Sequence, residues 1–297
     1  MPKLIIIGSG VAGLSAAIYA RRFEIDTLVI GDLPGGTITQ THLVENYPGF
    51  KSLSGIELGD NILDHAKLLG AEIKIGTVKD VVKEGNQFRV FIENEEYLAD
   101  ALIIATGTKH RELNVLGEEK FKNKGVSYCA TCDAPLYKNK IVALVGGSDS
   151  AVKESLIAAE HAKKVYLIYR GEQVRAEPIN RRRMEANPKI ELITKANIVE
   201  IYGENTVKGV KLDTGKNLPL DGVFIEVGRL PRSELAQKLG CELNEIGEIK
   251  IDRYTHTNIP GVFAAGDVTD THWKQAVTGA GEGAHAAHEA FEYLSKL

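Results

Sequence analysis

The sequence predicts an α/β fold of two three-layer, Rossmann-like domains, the second inserted into the first. Three observations predict it. A succession of strand, glycine turn, alanine-rich helix and strand occurs twice; each copy is followed by a stretch that alternates apolar and polar residues; and the last residues complete the first copy rather than the second. At 297 residues the chain is long enough for about two domains, each with its own buried core.

The first copy reads "KLIIIGSG", "VAGLSAAIYARRF" and "DTLVIGD". Lys3 to Ile7 is a short apolar run suited to a strand buried on both faces, and the alanine-rich segment carries helical periodicity. The second copy is "KIVALVGGSDSAVKESLIAAEHAKKVYLIYR", residues 140–170. Between the copies, "EIKIGTVKDVVKEGNQFRVFIENEEYLADALIIATG" reads as a small antiparallel meander returning to a buried strand at residues 101–105. A matching meander follows the second copy. The tail "GVFAAGDVTDTHWKQAVTGAGEGAHAAHEAFEYLSKL" gives a short buried strand ending at Gly266 and Asp267, then a helix of small residues. The first domain is therefore expected at 1–112 and 248–297 and the inserted one at 113–247, with crossings near residues 111–117 and 240–247. The small residues at the start of the last helix are expected to approach a cofactor, and the remainder a second subunit.

Composition narrows the function. Hydrophobic content of 43% and charged content of 26% are those of a folded globular protein, and the formal charge of −4 gives no general attraction to nucleic acid or anionic membrane. The N-terminus "MPKLIIIGSG" is neither a signal peptide nor a membrane span, so a cytoplasmic protein is expected, with no nucleic-acid or membrane partner. Three cysteines are too few for a secreted disulfide scaffold.

Gly8, Gly10 and Gly13 close a strand and open a helix in the G-x-G-x-x-G spacing. The first glycine permits the tight turn, the second lets backbone approach a pyrophosphate, and the third allows close helix packing, while the helix N-terminus offers unpaired N–H groups. Asp32, near the end of the next strand, is placed to hold a ribose. The second turn is Gly146, Gly147, Ser148, Asp149, Ser150 and Ala151, with Ser148 where close approach of a phosphate calls for glycine. Its side chain must either point away or bond the phosphate itself. No acid follows the next strand; Arg170 and Arg175 do. Loss of the carboxylate and gain of arginines is what a 2′-phosphate requires, which favours NADPH over NADH; the alternative is a pair of solvated surface charges.

Cys129 and Cys132 lie in "GVSYCATCDAP". A zinc site needs four ligands, usually as two close pairs, and no second pair partners this one. A structural staple does not suit a reducing compartment. A redox pair is the favoured reading, since a two-residue spacing puts both sulfurs within bonding reach. Asp133 is a candidate acid for protonating a leaving thiolate, or equally a helix N-cap. Three further features have bland readings beside functional ones: Cys241 as a small apolar residue, Trp273 as a cofactor neighbour or interface anchor, and Arg181 to Arg183 as a docking patch for an acidic partner or a solvated face.

In the order "GSGVAGLSAAIYARR", "GGTITQTHLVENYPGF", "ATGT", "CATCDAP", "GGSDSAVKES", "YRGEQVRA" and "GVFAAGDVTD", the chain resembles the low-molecular-weight thioredoxin reductases, two-dinucleotide-binding-domain flavoproteins, essentially end to end. The resemblance implies FAD, with its pyrophosphate on Gly8, Ser9, Gly10, Val11, Ala12 and Gly13. Gly35, Gly36, Thr37, Ile38 and Gln40 would wrap the cofactor, together with Ala105, Thr106 and Gly107 of "ATGT". Asn46 would contact the flavin ring, Gly266 and Asp267 would hold the ribityl and phosphate region, and Lys274, Gln275 and Ala276 would close over the flavin. It further implies that Cys132 stacks by the flavin, Cys129 attacks the protein substrate and Asp133 donates a proton. Electrons would run from NADPH through FAD and the disulfide to oxidised thioredoxin, in a homodimer whose second domain rotates.

The chain departs from the family's NADPH pattern at Ser148 for a glycine, Tyr169 for a histidine and Gly171 for an arginine. Those departures leave NADH, ferredoxin or a deazaflavin as alternative donors. A different dithiol acceptor, or a flavin-binding redox sensor, are the alternative functions.

Overall fold

The computed structural model describes residues 2–297. It resolves into two compact units: residues up to Lys109 together with Leu230–Leu297, and His110–Arg229. An inserted unit is thus present, but its second boundary comes earlier than the sequence suggests, and residues 230–247 belong to the first unit. The physical reason is burial: Ala236 and Cys241 share an apolar cluster with Ile5, Ile7 and Phe88. Gly240 and Gly247, which resemble linker residues, are the C-cap of the helix Glu234–Leu239 and a turn residue bonded back to Asn244.

In the first unit five parallel strands lie in the order Val262–Ala264, Ala101–Ile104, Leu4–Ile7, Thr27–Gly31, Glu72–Ile75. Successive side chains of a strand point to opposite faces. Leu4 and Ile6 therefore pack with Leu14, Ala16, Ala287 and Ala290 from the helices Val11–Arg22 and Ala276–Leu294. Ile5 and Ile7 pack with Phe88, Val90 and Ile92 from the meander Val78–Glu84, Gln87–Ile92, Glu95–Ala99. Helices, sheet and meander are the three layers. The two helices touch through backbone, since a Cβ on Gly283 would collide with the carbonyl of Ala12. Gly283, Ala286 and Ala287, among the small residues expected from sequence to face a second subunit, are buried within their own unit, as is Ala290.

The second unit repeats the plan. Its parallel strands run Ile190–Thr194, Lys164–Tyr169, Ile141–Val145, Gly222–Ile225, Val126–Ser127. Val142 and Leu144 face the helix Asp149–His161, while Ala143 and Val145 face the meander Ile198–Gly203, Val207–Leu212, Asn217–Pro219. The order reverses beside Leu4–Ile7 in the first sheet and beside Ile141–Val145 in the second, which opens a crevice at the carboxyl ends of the strands. Among the described residues no helix is long and apolar enough to cross a membrane.

Candidate functional site

The first strand ends at Ile7, and Gly8 turns the chain with φ of 118°, where a Cβ would collide with the carbonyl of Ala105. Gly10 caps the helix Val11–Arg22 without a side chain, so the N–H groups of its first turn have no side-chain partner and are open to an anion. Gly36 packs directly on Gly10, which brings the turn Gly36–Gln40, carrying Thr37 and Ile38, beside that N-terminus. Ser9 is 3% exposed and its hydroxyl has no hydrogen-bond partner. An orphan hydroxyl beside an uncapped helix, between closely approaching glycines, fits a dinucleotide of the kind FAD represents.

The other residues expected around that cofactor fall in the same unit. Asp32 follows the strand Thr27–Gly31, with its carboxylate 3.3 Å from Nη1 of Arg232. Arg232 is held by its own backbone: its N–H donates to Gly107 and its carbonyl accepts from Thr106 Oγ1. With Gly8, Gly31 and Thr106 this pair lines a cavity of about 230 Å³. Gly266 adjoins Ala12 and donates its N–H to Glu282 at 2.6 Å. Lys274 donates to the carbonyl of Asp267 at 2.8 Å and pairs with Glu248 at 2.8 Å. Asn46 and Gln275, distant in sequence, meet through a 2.9 Å bond from Nδ2 to Oε1, where Gln275 precedes the helix that starts at Ala276.

In the second unit, Ser148 turns its side chain back onto the turn's own backbone. It is the N-cap of the helix Asp149–His161, and its Oγ accepts from the N–H of Ala151 at 3.3 Å. One N–H that an uncapped helix offers a phosphate is therefore taken. Asp149 is also committed, accepting from Glu177 N–H and Asn180 Nδ2 and pairing with Lys153 at 2.8 Å. Burial works to raise the Asp149 pKa, but Lys153, Asn180 and the Glu177 amide together hold it below the ordinary carboxylate value. The ring of Tyr169 lies against both Gly147 and Gly171, where any side chain would strike it. Gly146, Gly147, Ser148, Arg170 and Arg175 line a cavity of about 720 Å³; Asp149 and Ser150 do not. Arg170 and Arg175 have no ion-pair partner among the described residues.

Cys129 and Cys132 are joined in a disulfide, with Cα atoms 5.4 Å apart. Cys129, half-buried, caps the one-turn helix Ala130–Asp133, and its Sγ accepts from the N–H of the exposed Cys132 at 3.2 Å. Ser127 Oγ accepts from the Cys129 N–H at 3.1 Å. The side chain of Asp133 makes no capping bond to the turn that follows it, so the N-cap alternative finds no hydrogen bond here. None of Cys129, Cys132 and Asp133 lines the 720 Å³ cavity.

Sequence reasoning missed two acids, Glu154 and Glu226, the first of which bonds this turn. Glu154 accepts from the N–H of Ala130 at 3.3 Å. Burial, with the negative charge of Glu226 adding to it, pushes the Glu154 carboxyl up to about 8, against the pull of the Ala130 N–H and Arg229. Glu226 is 3% exposed. Its signal was a lone carboxylate inside the apolar run "GVFIEVG"; Glu154, one of many charges on an amphipathic helix, gave none. Of the bland readings, Cys241 is a buried free cysteine and Arg181 pairs with Glu185 on its own helix, while Trp273 is 58% exposed.

The profile of the pyridine nucleotide-disulphide oxidoreductase family matches residues 2–283. A thioredoxin reductase of Listeria monocytogenes is 42% identical over 302 residues, covering 99% of this chain and 94% of that protein. Among solved structures, Lactococcus lactis thioredoxin reductase superposes with a TM-score of 0.97 at 36% identity over all of both chains. T. acidophilum thioredoxin reductase does so with a TM-score of 0.94 at 36% identity over 98% of each.

Proposed function

This chain belongs to the pyridine nucleotide-disulphide oxidoreductases and, within them, to the thioredoxin reductases, and from that premise we propose a cytoplasmic, homodimeric flavoenzyme that reduces a separate thioredoxin-like protein at the expense of NADPH. The observation that carries the reading is the Cys129–Cys132 disulfide at a helix start, in a unit with its own nucleotide-sized cavity. Gly8, Ser9, Gly10, Gly13, Gly35 to Gln40, Asp32, Asn46 and Lys274 to Ala276 would hold FAD, which when bound would supply two electrons to that disulfide.

The remaining chemistry belongs to the chain's own residues. In the reduced protein Cys129, as thiolate, attacks one sulfur of the partner's disulfide. That forms a mixed disulfide and releases the partner's other sulfur, which takes up a proton. Cys132 then attacks Cys129 Sγ, which frees the second partner sulfur and restores the Cys129–Cys132 bond. Asp133, adjacent to Cys132, holds and returns a proton across these steps.

The unpaired Arg170 and Arg175 support a 2′-phosphate, hence NADPH. The Ser148 cap favours weak binding, since one lost charge-assisted contact is worth about one to two orders of magnitude in affinity. That cap is also the observation in favour of a donor other than a nicotinamide. The deciding experiment mixes the oxidised enzyme anaerobically with NADPH, NADH and reduced ferredoxin in turn and follows flavin bleaching. Rapid bleaching by NADPH is expected; failure with both nicotinamides removes the NADPH assignment. A Cys132→Ser variant should bleach yet not reduce thioredoxin, and thioredoxin reduction at the parent rate would overturn the relay.

A further inference from the structure

The nucleotide cavity has a second end that neither the glycine turn nor the arginines explain. The strands Ile141–Val145 and Gly222–Ile225 are parallel neighbours, with Val145 opposite Ile225, so Gly146 and Glu226 emerge side by side at the carboxyl edge. Glu226 donates its N–H to Val145 at 2.8 Å, and Gly146 lies against its carbonyl. Tyr169, Arg170 and Arg175 end or follow the strand on the opposite side of Ile141–Val145. A dinucleotide laid across such a crevice has its pyrophosphate over the glycine turn and its two halves on either side. If the arginines take the adenosine half, Glu226 stands where the other half must go.

Glu226 is an unexpected residue for an anion-binding crevice. It lines the cavity while 3% exposed, and its Oε2 has no hydrogen-bond partner. The nearest base, His110 Nδ1, is 3.6 Å away and also unpartnered. Glu154 lies within electrostatic reach of Glu226, and Arg111, Glu112 and Arg229 line the same cavity. A buried carboxylate is costly without donors to satisfy it, and it repels phosphate, so it suits an uncharged or cationic ligand group rich in N–H and O–H. We propose that Glu226, positioned by His110, accepts hydrogen bonds from the nicotinamide riboside half of a pyridine dinucleotide and so fixes which end of the cofactor lies at this edge. The proposal rests on the nucleotide-binding reading above.

The test compares whole dinucleotides with their adenosine fragments by isothermal titration on the full-length, FAD-loaded, oxidised protein. NADP⁺ is paired with 2′,5′-ADP and NAD⁺ with ADP, for the parent, Glu226→Gln and Glu226→Ala. The expected result is a loss of dinucleotide affinity on the order of 10- to 100-fold in Glu226→Ala and less in Glu226→Gln, with fragment affinity unchanged. Unchanged dinucleotide affinity, or equal loss for dinucleotide and fragment, overturns the subsite. If the parent binds neither dinucleotides nor fragments, the nucleotide reading itself falls and the subsite with it. Glu226→Gln, which keeps the shape of the side chain, carries the test should Glu226→Ala fold poorly.

Discussion

Replacing Glu154 by glutamine should stabilise the protein, and by an amount that depends on pH. The carboxyl has a folded-state pKa of about 8 against an ordinary 4.5. Below pH 4.5 Glu154 is neutral whether the chain is folded or not, and it costs nothing. Between the two values the unfolded chain releases the proton while the folded chain retains it, so stability falls by about 1.4 kcal/mol per pH unit. Above pH 8 both states are ionised and the penalty is constant. The full interval corresponds to about 5 kcal/mol, and solvent reaching this half-buried side chain reduces it to about 3 kcal/mol. Glutamine keeps an acceptor for the Ala130 N–H without the charge. Thermal unfolding of parent and variant should therefore coincide near pH 4.5 and separate progressively towards pH 8.5, with the variant melting higher by several degrees. A difference that stays flat across that range would refute the assignment of a buried, proton-holding Glu154.

Three other substitutions probe the cradles. Ser148→Gly removes the side-chain cap at a cost of only a few tenths of a kcal/mol and returns an N–H to the turn, so titration should show tighter NADP⁺ binding with nearly unchanged melting. Arg175→Ala should raise the KM for NADPH by about 10- to 100-fold while leaving that for NADH nearly unchanged in steady-state kinetics. Gly283→Ala forces a methyl into the carbonyl of Ala12, so chemical denaturation should show the first unit destabilised by about 1–3 kcal/mol, with faster release of flavin, because Ala12 sits in the phosphate-facing turn.

The layers were legible because period and punctuation agree with one another. "LIIIG" and "IVALVGG" are apolar runs that must be buried on both faces, and the glycines after them mark where strand gives way to helix. The second domain boundary was not legible, because Gly240 and Gly247 punctuate a helix cap and a turn in the same way that they would punctuate a linker. What placed residues 230–247 in the first unit was the packing of Ala236 and Cys241, and two small apolar residues in a short amphipathic segment do not announce their partners. The same holds for the sites. The glycine turns and the cysteine pair carry local spacing, whereas Asp32 with Arg232, Asn46 with Gln275 and Glu154 with Ala130 are pairings made by tertiary structure. Only Glu226 left a trace, as a charge at the end of an apolar run.

The two glycine turns share a plan but cap their helix N-termini differently, and that contrast bears on how each ligand is held. In the first unit the cap is Gly10, no side chain competes for the first-turn N–H groups, and Ser9 adds an orphan hydroxyl. In the second, Ser148 takes an N–H and Asp149 is turned to Lys153 and Asn180. Each side chain that satisfies the turn internally lowers what a phosphate gains by replacing it. The first turn thus leaves more of its bonding capacity to a phosphate than the second does. Under the proposed function that difference would suit a resident flavin and an exchanging electron donor, because a donor held as tightly as the flavin would limit turnover by its own release.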